Sequence, residues 1–270
     1  MREFLIRTAS AVVFAAVVLA ALFLGKDYAF VVFVFFMAAI LYEVGNIFHF
    51  KNKLSTVIYV LLGILFCFAA TFGTKQFTVH QWGALIILFL ISALSVLSIG
   101  KSNYPSFFVK IALFFYVCVP FILFLSLFNF SLIVQQNEFF FPLVFLIFIW
   151  IGDTFAYLSG RLFGKHKMVP KISPAKTWEG FIGGFAAVLI AAAVVWYVAR
   201  VQNVVFWLVF ACITYCFGVC GDLIESKLKR KANTKDSGKL IPGHGGAFDR
   251  FDSFIFALPF VVLLLLYYYL

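Results

Sequence analysis

Asp222, Glu225, Ser226, Lys229 and Arg230 stand at i, i+3, i+4, i+7 and i+8. On an α-helix these positions share one face. The face runs from acid to base, so it can offer carboxylates to a hard cation and, next to them, cations to phosphate oxygens. Further on, Asp249 and Asp252 are three apart, with Arg250 between them. The connecting segment, KANTKDSGKLIPGHGGAF, supplies Lys235, Asp236 and His244. Its Gly245-Gly246 pair lets the backbone approach a ligand and present N–H groups to an anion. Carboxylates brought to one depth by two helices suit Mg²⁺, with Asp222 and Asp249 as the expected ligands. The Lys and Arg residues around them suit phosphates. Metal, base and glycine together indicate a nucleotide or pyrophosphate site. It is not a P-loop, because GxxxxGK[ST] does not occur, and no strand precedes it as in a Rossmann turn. Asp252 also stands where a helix N-cap would fall. Capping is part of the structural reading of Asp249 as well, although a cap does not need its setting between HGGAF and Arg250.

A second segment, GDTFAYLSGRLFGKHKMVPKISPAKTWEG from Gly152 to Gly180, has the same character. Asp153 opens it, basic residues and glycines follow, and SPAKTWEG closes it. Read structurally, Ser173-Pro174 starts a helical turn and Glu179 lies near the beginning of the next helix. Read chemically, Ser173, Lys176 and Glu179 join the polar site together with Asp153. Of the chain's eleven acidic residues, these two segments hold all seven that follow residue 150. Charge at membrane depth is costly, so such groups usually pair, line a cavity or bind an ion. Glu43, deep in an apolar run, has no chemical role assigned from sequence; a hydrogen bond to another helix is its expected use.

The elements that must position these residues are apolar. Of 270 residues, 64% are hydrophobic, 20% aromatic and only 12% charged, and the mean hydropathy is +1.08. Soluble domains are about one-quarter charged, so the composition excludes a soluble enzyme and indicates an all-α polytopic membrane protein. A spanning helix needs about 20 apolar residues. Nine such spans are predicted near residues 8–25, 28–48, 56–74, 81–100, 107–128, 139–159, 178–199, 203–225 and 252–270. The runs lack strand-like alternation and are too long for membrane strands. The first is read as an anchor, not a cleaved signal peptide. Pro120 and Pro259 fall inside spans and are expected to kink them. One membrane domain, 1–270, is expected, with the spans of 1–130 as a lipid-facing scaffold and 139–270 carrying the site.

With the N-terminus inside the cell, eighteen of the 21 basic residues fall on the inner side and only Lys26, Lys75 and Arg200 outside. The positive-inside rule therefore places both polar segments in the cytoplasm. The net charge of +10 reads mainly as orientation and attraction to anionic lipid, with no nucleic-acid partner. The last two loops, where bases mix with acids and glycines, exceed that need. Cys212, Cys216 and Cys220 recur every four residues and read as helix-packing positions, not a metal site.

Ser226 to Asp252, SKLKRKANTKDSGKLIPGHGGAFDRFD, resembles the signature of the phosphatidate cytidylyltransferases, or CDP-diacylglycerol synthases. That pattern is S-x-x-K-R, four residues, K-D, a small residue two further on, P-x-H-G-G, two residues, D-R-x-D. It matches at Ser226, Lys229, Arg230, Lys235, Asp236, Gly238, Pro242, His244, Gly245, Gly246, Asp249, Arg250 and Asp252. Ala247 departs from it, standing where the family carries a larger aliphatic residue. SPAKTWEG is similar to the family's SPKKTWEG, with Ala175 in place of a Lys. GDTFAY and GDLIES also resemble family segments, and the clear resemblance covers residues 150–253.

The resemblance implies that CTP and phosphatidic acid give CDP-diacylglycerol and pyrophosphate, with Mg²⁺ and room for a second cation. It implies catalytic roles for Asp222, Asp249, Lys229, Arg230, Lys235, Asp236, His244 and Arg250. Substrate contacts are implied for Ser226, Gly245, Gly246, Asp252, Asp153, Ser173, Lys176 and Glu179. It also implies a homodimer in a bacterial-type inner membrane. A CDP-alcohol phosphatidyltransferase is the nearest other enzyme class, but its DGxxAR…GxxxDxxxD pattern does not occur. An ion channel or transporter using the intramembrane carboxylates is the non-enzymatic alternative.

Overall fold

The computed structural model describes residues 2–48, 53–72, 79–99, 106–238, 240 and 245–269. Among them are nine helices: α1 (Arg2–Leu24), α2 (Lys26–Ile47), α3 (Lys53–Phe72), α4 (Val79–Ser98), α5 (Ser106–Ile133), α6 (Phe140–Phe163), α7 (Trp178–Ala199), α8 (Val204–Lys231) and α9 (Phe248–Tyr269). Eight are long and apolar enough to cross a bilayer, and α1 carries a shorter apolar stretch, Thr8–Leu24. The protein is an all-α polytopic membrane protein, as its hydropathy predicts. Without water in the bilayer core, each backbone group needs a partner within the segment, and helices provide it. Pro120 and Pro259 lie inside α5 and α9.

Two local features differ from the expected pattern. Between α6 and α7 the chain forms an antiparallel hairpin of β1 (Lys167–Val169) and β2 (Ser173–Thr177). Ser173-Pro174 therefore belongs to a strand and does not start a helix. The turn into α7 is made instead at Thr177, whose hydroxyl accepts from the Gly180 amide at 3.2 Å, an N-cap of ordinary type. In addition, α8 continues to Lys231 and α9 begins at Phe248, beyond the apolar cores of both spans. Asp252 thus lies a full turn inside α9 and is not its cap.

The start of α9 is locked by rings. Phe251 and Phe254 pack against Phe33 of α2 and Phe121 of α5, with centroids 5.1–6.0 Å apart. Lipid tails are as apolar as these side chains, so close packing and ring geometry, not expulsion of water, hold the helices together. On the other side α8 comes so close that a Cβ on Gly221 would strike the Asp252 carbonyl oxygen. Lys227, near the end of α8, donates to the Leu97 carbonyl of α4 at 2.8 Å. The helix ends carrying the polar residues are therefore braced from three directions.

Candidate active site

The C-terminal part of α6, the hairpin, the start of α7, the C-terminal part of α8 and the start of α9 line an open cavity of about 470 Å³. Its lining includes Asp153, Ser173, Lys176, Asp222, Asp249, Arg250 and Asp252. Both polar segments of the sequence therefore meet in one place. The link between them is direct: Lys176 Nζ lies 2.6 Å from Asp222 Oδ2. Ser226, one turn along α8, donates to Asp222 Oδ1 at 3.2 Å.

A second ammonium joins α8 to α9. Lys229 Nζ lies 2.8 Å from Glu225 Oε2 and 2.6 Å from Asp249 Oδ1. The Lys229 side chain is only 14% exposed, so the attraction in these contacts is less screened by water than in a surface ion pair. The other oxygen of Asp249 is used by the loop: Oδ2 accepts from the Gly246 amide at 2.8 Å and the Ser237 amide at 3.0 Å. Asp249 is in the first turn of α9 and reaches back to an amide ahead of the helix, as the acid of a capping box does. It thereby ties the loop to the start of α9 and does not cap the helix itself, since Ser237 and Gly246 both precede α9.

Asp222, Glu225 and Asp252 can bring one oxygen each to within 4.8 Å of one another. Glu225 is buried, and its Oε1 has no hydrogen-bond partner among the described residues. Such an atom is costly to leave unsatisfied. A hard cation suits this donor set, since it consists of carboxylate oxygens alone. The i, i+3 spacing of Asp222 and Glu225 is visible in sequence, but the approach of Asp252 is not.

Other residues stand further out. Arg230 is exposed and donates to the Thr234 carbonyl at 3.4 Å; Lys235 and Asp236 are exposed on the loop after α8. His244 lies outside the described residues. Glu179 is engaged elsewhere: its carboxylate accepts from the Lys165 and His166 amides at 3.1 and 3.2 Å and contacts His166 Nδ1 at 2.6 Å. It ties the approach to the hairpin onto α7.

Glu43 has the partner its position requires. From α2 it accepts from Ser237 Oγ at 2.8 Å and from the Ala247 and Phe248 amides at 2.9 and 3.0 Å. The free amides at the N-terminus of α9 are thus satisfied by a carboxyl from another helix. A Cβ on Gly246 would strike Ser237 Oγ and Glu43 Oε2. Gly245 has φ 87°, a conformation that favours glycine. Overpacking of a fitted site typically costs about 1–3 kcal/mol. Gly246→Ala is expected to lower the thermal unfolding midpoint of the detergent-solubilised protein accordingly. An unchanged midpoint would show that Glu43 does not press against this turn.

The family model of the cytidylyltransferases matches residues 5–268. The phosphatidate cytidylyltransferase of Staphylococcus aureus (strain COL) is 50% identical over 123 residues, 45% of this chain and 47% of that protein. Those of Staphylococcus saprophyticus and Staphylococcus haemolyticus are 49% identical over 120 residues and 50% over 119, each covering 44% of this chain and 46% of theirs. The matches thus span about half the length of these curated relatives.

Proposed function

The chain belongs to the cytidylyltransferase family, and on that premise we propose that it transfers the cytidylyl group of CTP to phosphatidic acid, giving CDP-diacylglycerol and pyrophosphate for phospholipid synthesis. The observation that carries this reading is the cavity in which Asp153, Asp222, Asp249 and Asp252 stand with Lys176 and Arg250, in the C-terminal parts of the bilayer-length helices α6 and α8, the start of α9 and the hairpin. A lipid confined to the membrane and a soluble, highly anionic nucleotide can meet only at a membrane boundary.

In the proposed reaction a phosphate oxygen of phosphatidic acid attacks the α-phosphorus of CTP. The bond from that phosphorus to the oxygen bridging to the β-phosphorus breaks, and pyrophosphate leaves with the electron pair. The lipid phosphate is ionised at neutral pH, so no general base is required. Both reactants are negative, so the protein's work is to neutralise and align them. Lys176 and Arg250 line the cavity and would take phosphate oxygens, with the Ser173 hydroxyl beside them. Lys229 holds Glu225 and Asp249 together. Arg230 and Lys235 would meet the nucleotide from the exposed side, and Asp236 and His244 would orient these groups or contact the nucleotide.

Asp222, Glu225 and Asp252 would hold Mg²⁺, since their oxygens fit a hard cation. Asp249, the other ligand expected from the sequence, is held by Lys229 and by the Ser237 and Gly246 amides and would keep that group in place. Mg²⁺ bound there supplies neutralisation of phosphate oxygens and of the pyrophosphate leaving group. Purified protein in detergent should convert CTP and phosphatidic acid to CDP-diacylglycerol and pyrophosphate in equal amounts. No product at any Mg²⁺ concentration would refute the reading.

The distribution of basic residues supports a site on the cytoplasmic side of a bacterial-type inner membrane, and the family resemblance supports a homodimer. With the native cysteines removed, Asn233→Cys should react with a membrane-impermeant thiol reagent only from the cytoplasmic side, and Gln136→Cys only from the outside. Labelling of both from one side would overturn the orientation.

A further inference from the structure

Glu43 lies in α2, far in sequence from both polar segments, and is only 6% exposed. A buried carboxyl in a spanning helix is expensive unless its oxygens are satisfied. A tether between two helices needs one partner. Glu43 has three donors, Ser237 Oγ and the Ala247 and Phe248 amides, all in the short stretch 237–248. Two glycines of that stretch are shaped to it, because a Cβ on Gly238 or Gly246 would strike a Glu43 oxygen. Ala247, fully buried, is held by its amide on Glu43 Oε1.

The contacts continue to the carboxylate group. Ser237 Oγ lies 2.8 Å from Glu43 Oε2 and 3.0 Å from Asp249 Oδ2. Asp249 Oδ1 holds Lys229 Nζ, which holds Glu225, one of the three residues able to share a cation. A line of polar contacts therefore runs from α2 through the loop and α9 to α8.

We propose that Glu43 is a positioning residue of the active site: it fixes the turn ahead of α9, so that Asp249 and, through Lys229, Glu225 keep their places. The α2 helix is then part of the site and not only its scaffold. The inference rests on the cytidylyl-transfer reading, and its test has an arm independent of that reading. In Glu43→Gln one oxygen becomes an NH₂, so one donor faces another donor and its hydrogen bond is lost. Ser237→Ala leaves the Ala247 and Phe248 contacts and removes the hydroxyl that bridges Glu43 and Asp249, while the residue's amide still donates to Asp249.

The first measurement is amide hydrogen exchange of the full-length protein in detergent. Glu43→Gln should speed exchange at Ala247 or Phe248, whichever faces the new NH₂, by ~10-fold or more, while peptides from α5 keep wild-type protection. The second is turnover across a Mg²⁺ titration. Each single variant should lower kcat by ~10-fold and raise the Mg²⁺ needed for half-activation by roughly 3-fold or more. A fraction of unfolded protein would lower kcat without moving that midpoint. The double variant should fall no more than ~3-fold below the weaker single one, because both act through one line of contacts.

Losses that multiply, an unmoved Mg²⁺ midpoint, or unchanged exchange at Ala247 and Phe248 would each overturn the proposal. If Glu43→Gln cannot be purified folded, a wild-type Mg²⁺ midpoint in Ser237→Ala overturns it alone. If the wild type transfers no cytidylyl group, the reaction assigned above fails, and the exchange comparison still decides whether Glu43 holds the turn.

Discussion

Asp222→Asn will lower turnover of CTP and phosphatidic acid by at least ~10²-fold, the scale on which losing one electrostatic stabiliser of a transition state is felt. Asp222 is where the site's parts converge. It pairs with Lys176 from β2 at 2.6 Å, accepts from Ser226, and stands with Glu225 and Asp252 in the group able to share a cation. Asn keeps the size and an acceptor oxygen but removes the charge that both Lys176 and a cation need. The loss should therefore be accompanied by a higher Mg²⁺ requirement. Asp27→Asn, an exposed change in the first turn of α2, serves as the control and should stay within about twofold of wild type, the effect of a surface substitution. Initial rates across a Mg²⁺ titration decide the matter. An Asp222→Asn enzyme with near wild-type rates and an unchanged Mg²⁺ midpoint would remove Asp222 from the site.

Lys229→Met is expected to act on stability and activity together. Its ammonium is the shared partner of Glu225 and Asp249, and its removal leaves two shielded carboxylates without their cation. Breaking a buried ion pair from one side typically costs about 3–5 kcal/mol. Turnover should fall by at least ~10²-fold, comparable with loss of a transition-state stabiliser. The combination Glu225→Gln with Lys229→Met removes one charge of each sign. It should recover much of the lost stability, because fewer charges remain buried without a partner. It should stay nearly inactive, because the cation-binding group has lost a carboxylate. Thermal unfolding and steady-state rates separate the two effects. A double variant as unstable as Lys229→Met, or as active as wild type, would show that the Lys229 contacts do not govern this site.

Much of the site is legible in the linear chain because its chemistry is expensive. Charges in apolar surroundings survive only with a purpose, so Asp153, Asp222 and Asp249 stand out before any folding is known. Helical periodicity also puts Asp222, Glu225, Ser226 and Lys229 on one face without reference to any other element. The hairpin of β1 and β2 is not legible in this way. Its strands are three and five residues long, too short for alternation to rise above noise, and Ser-Pro is as suitable for a helix start as for a strand. Asp252 illustrates a different limit. Its place near the apolar boundary suggests a cap, but packing against α2 and α5 carries α9 back to Phe248 and leaves Asp252 inside the helix.

Hydropathy alone determines that this chain lies in a bilayer as helices, because the cost of an unsatisfied backbone in lipid leaves no other local solution for such runs. The spacing of acids, bases and glycines, with the family signature, points to the kind of ligand proposed here. Which carboxylate meets which ammonium was decided only by the tertiary structure. Lys176 reaches Asp222 of α8 from the hairpin, Lys229 reaches Asp249 from α8 to α9, and Glu43 reaches the Ala247 and Phe248 amides from more than two hundred residues away. Pairing of this kind depends on the relative depth and rotation of packed helices. Those are set by the fit of whole faces, such as Phe251 and Phe254 among the rings of α2 and α5, and no local pattern encodes them.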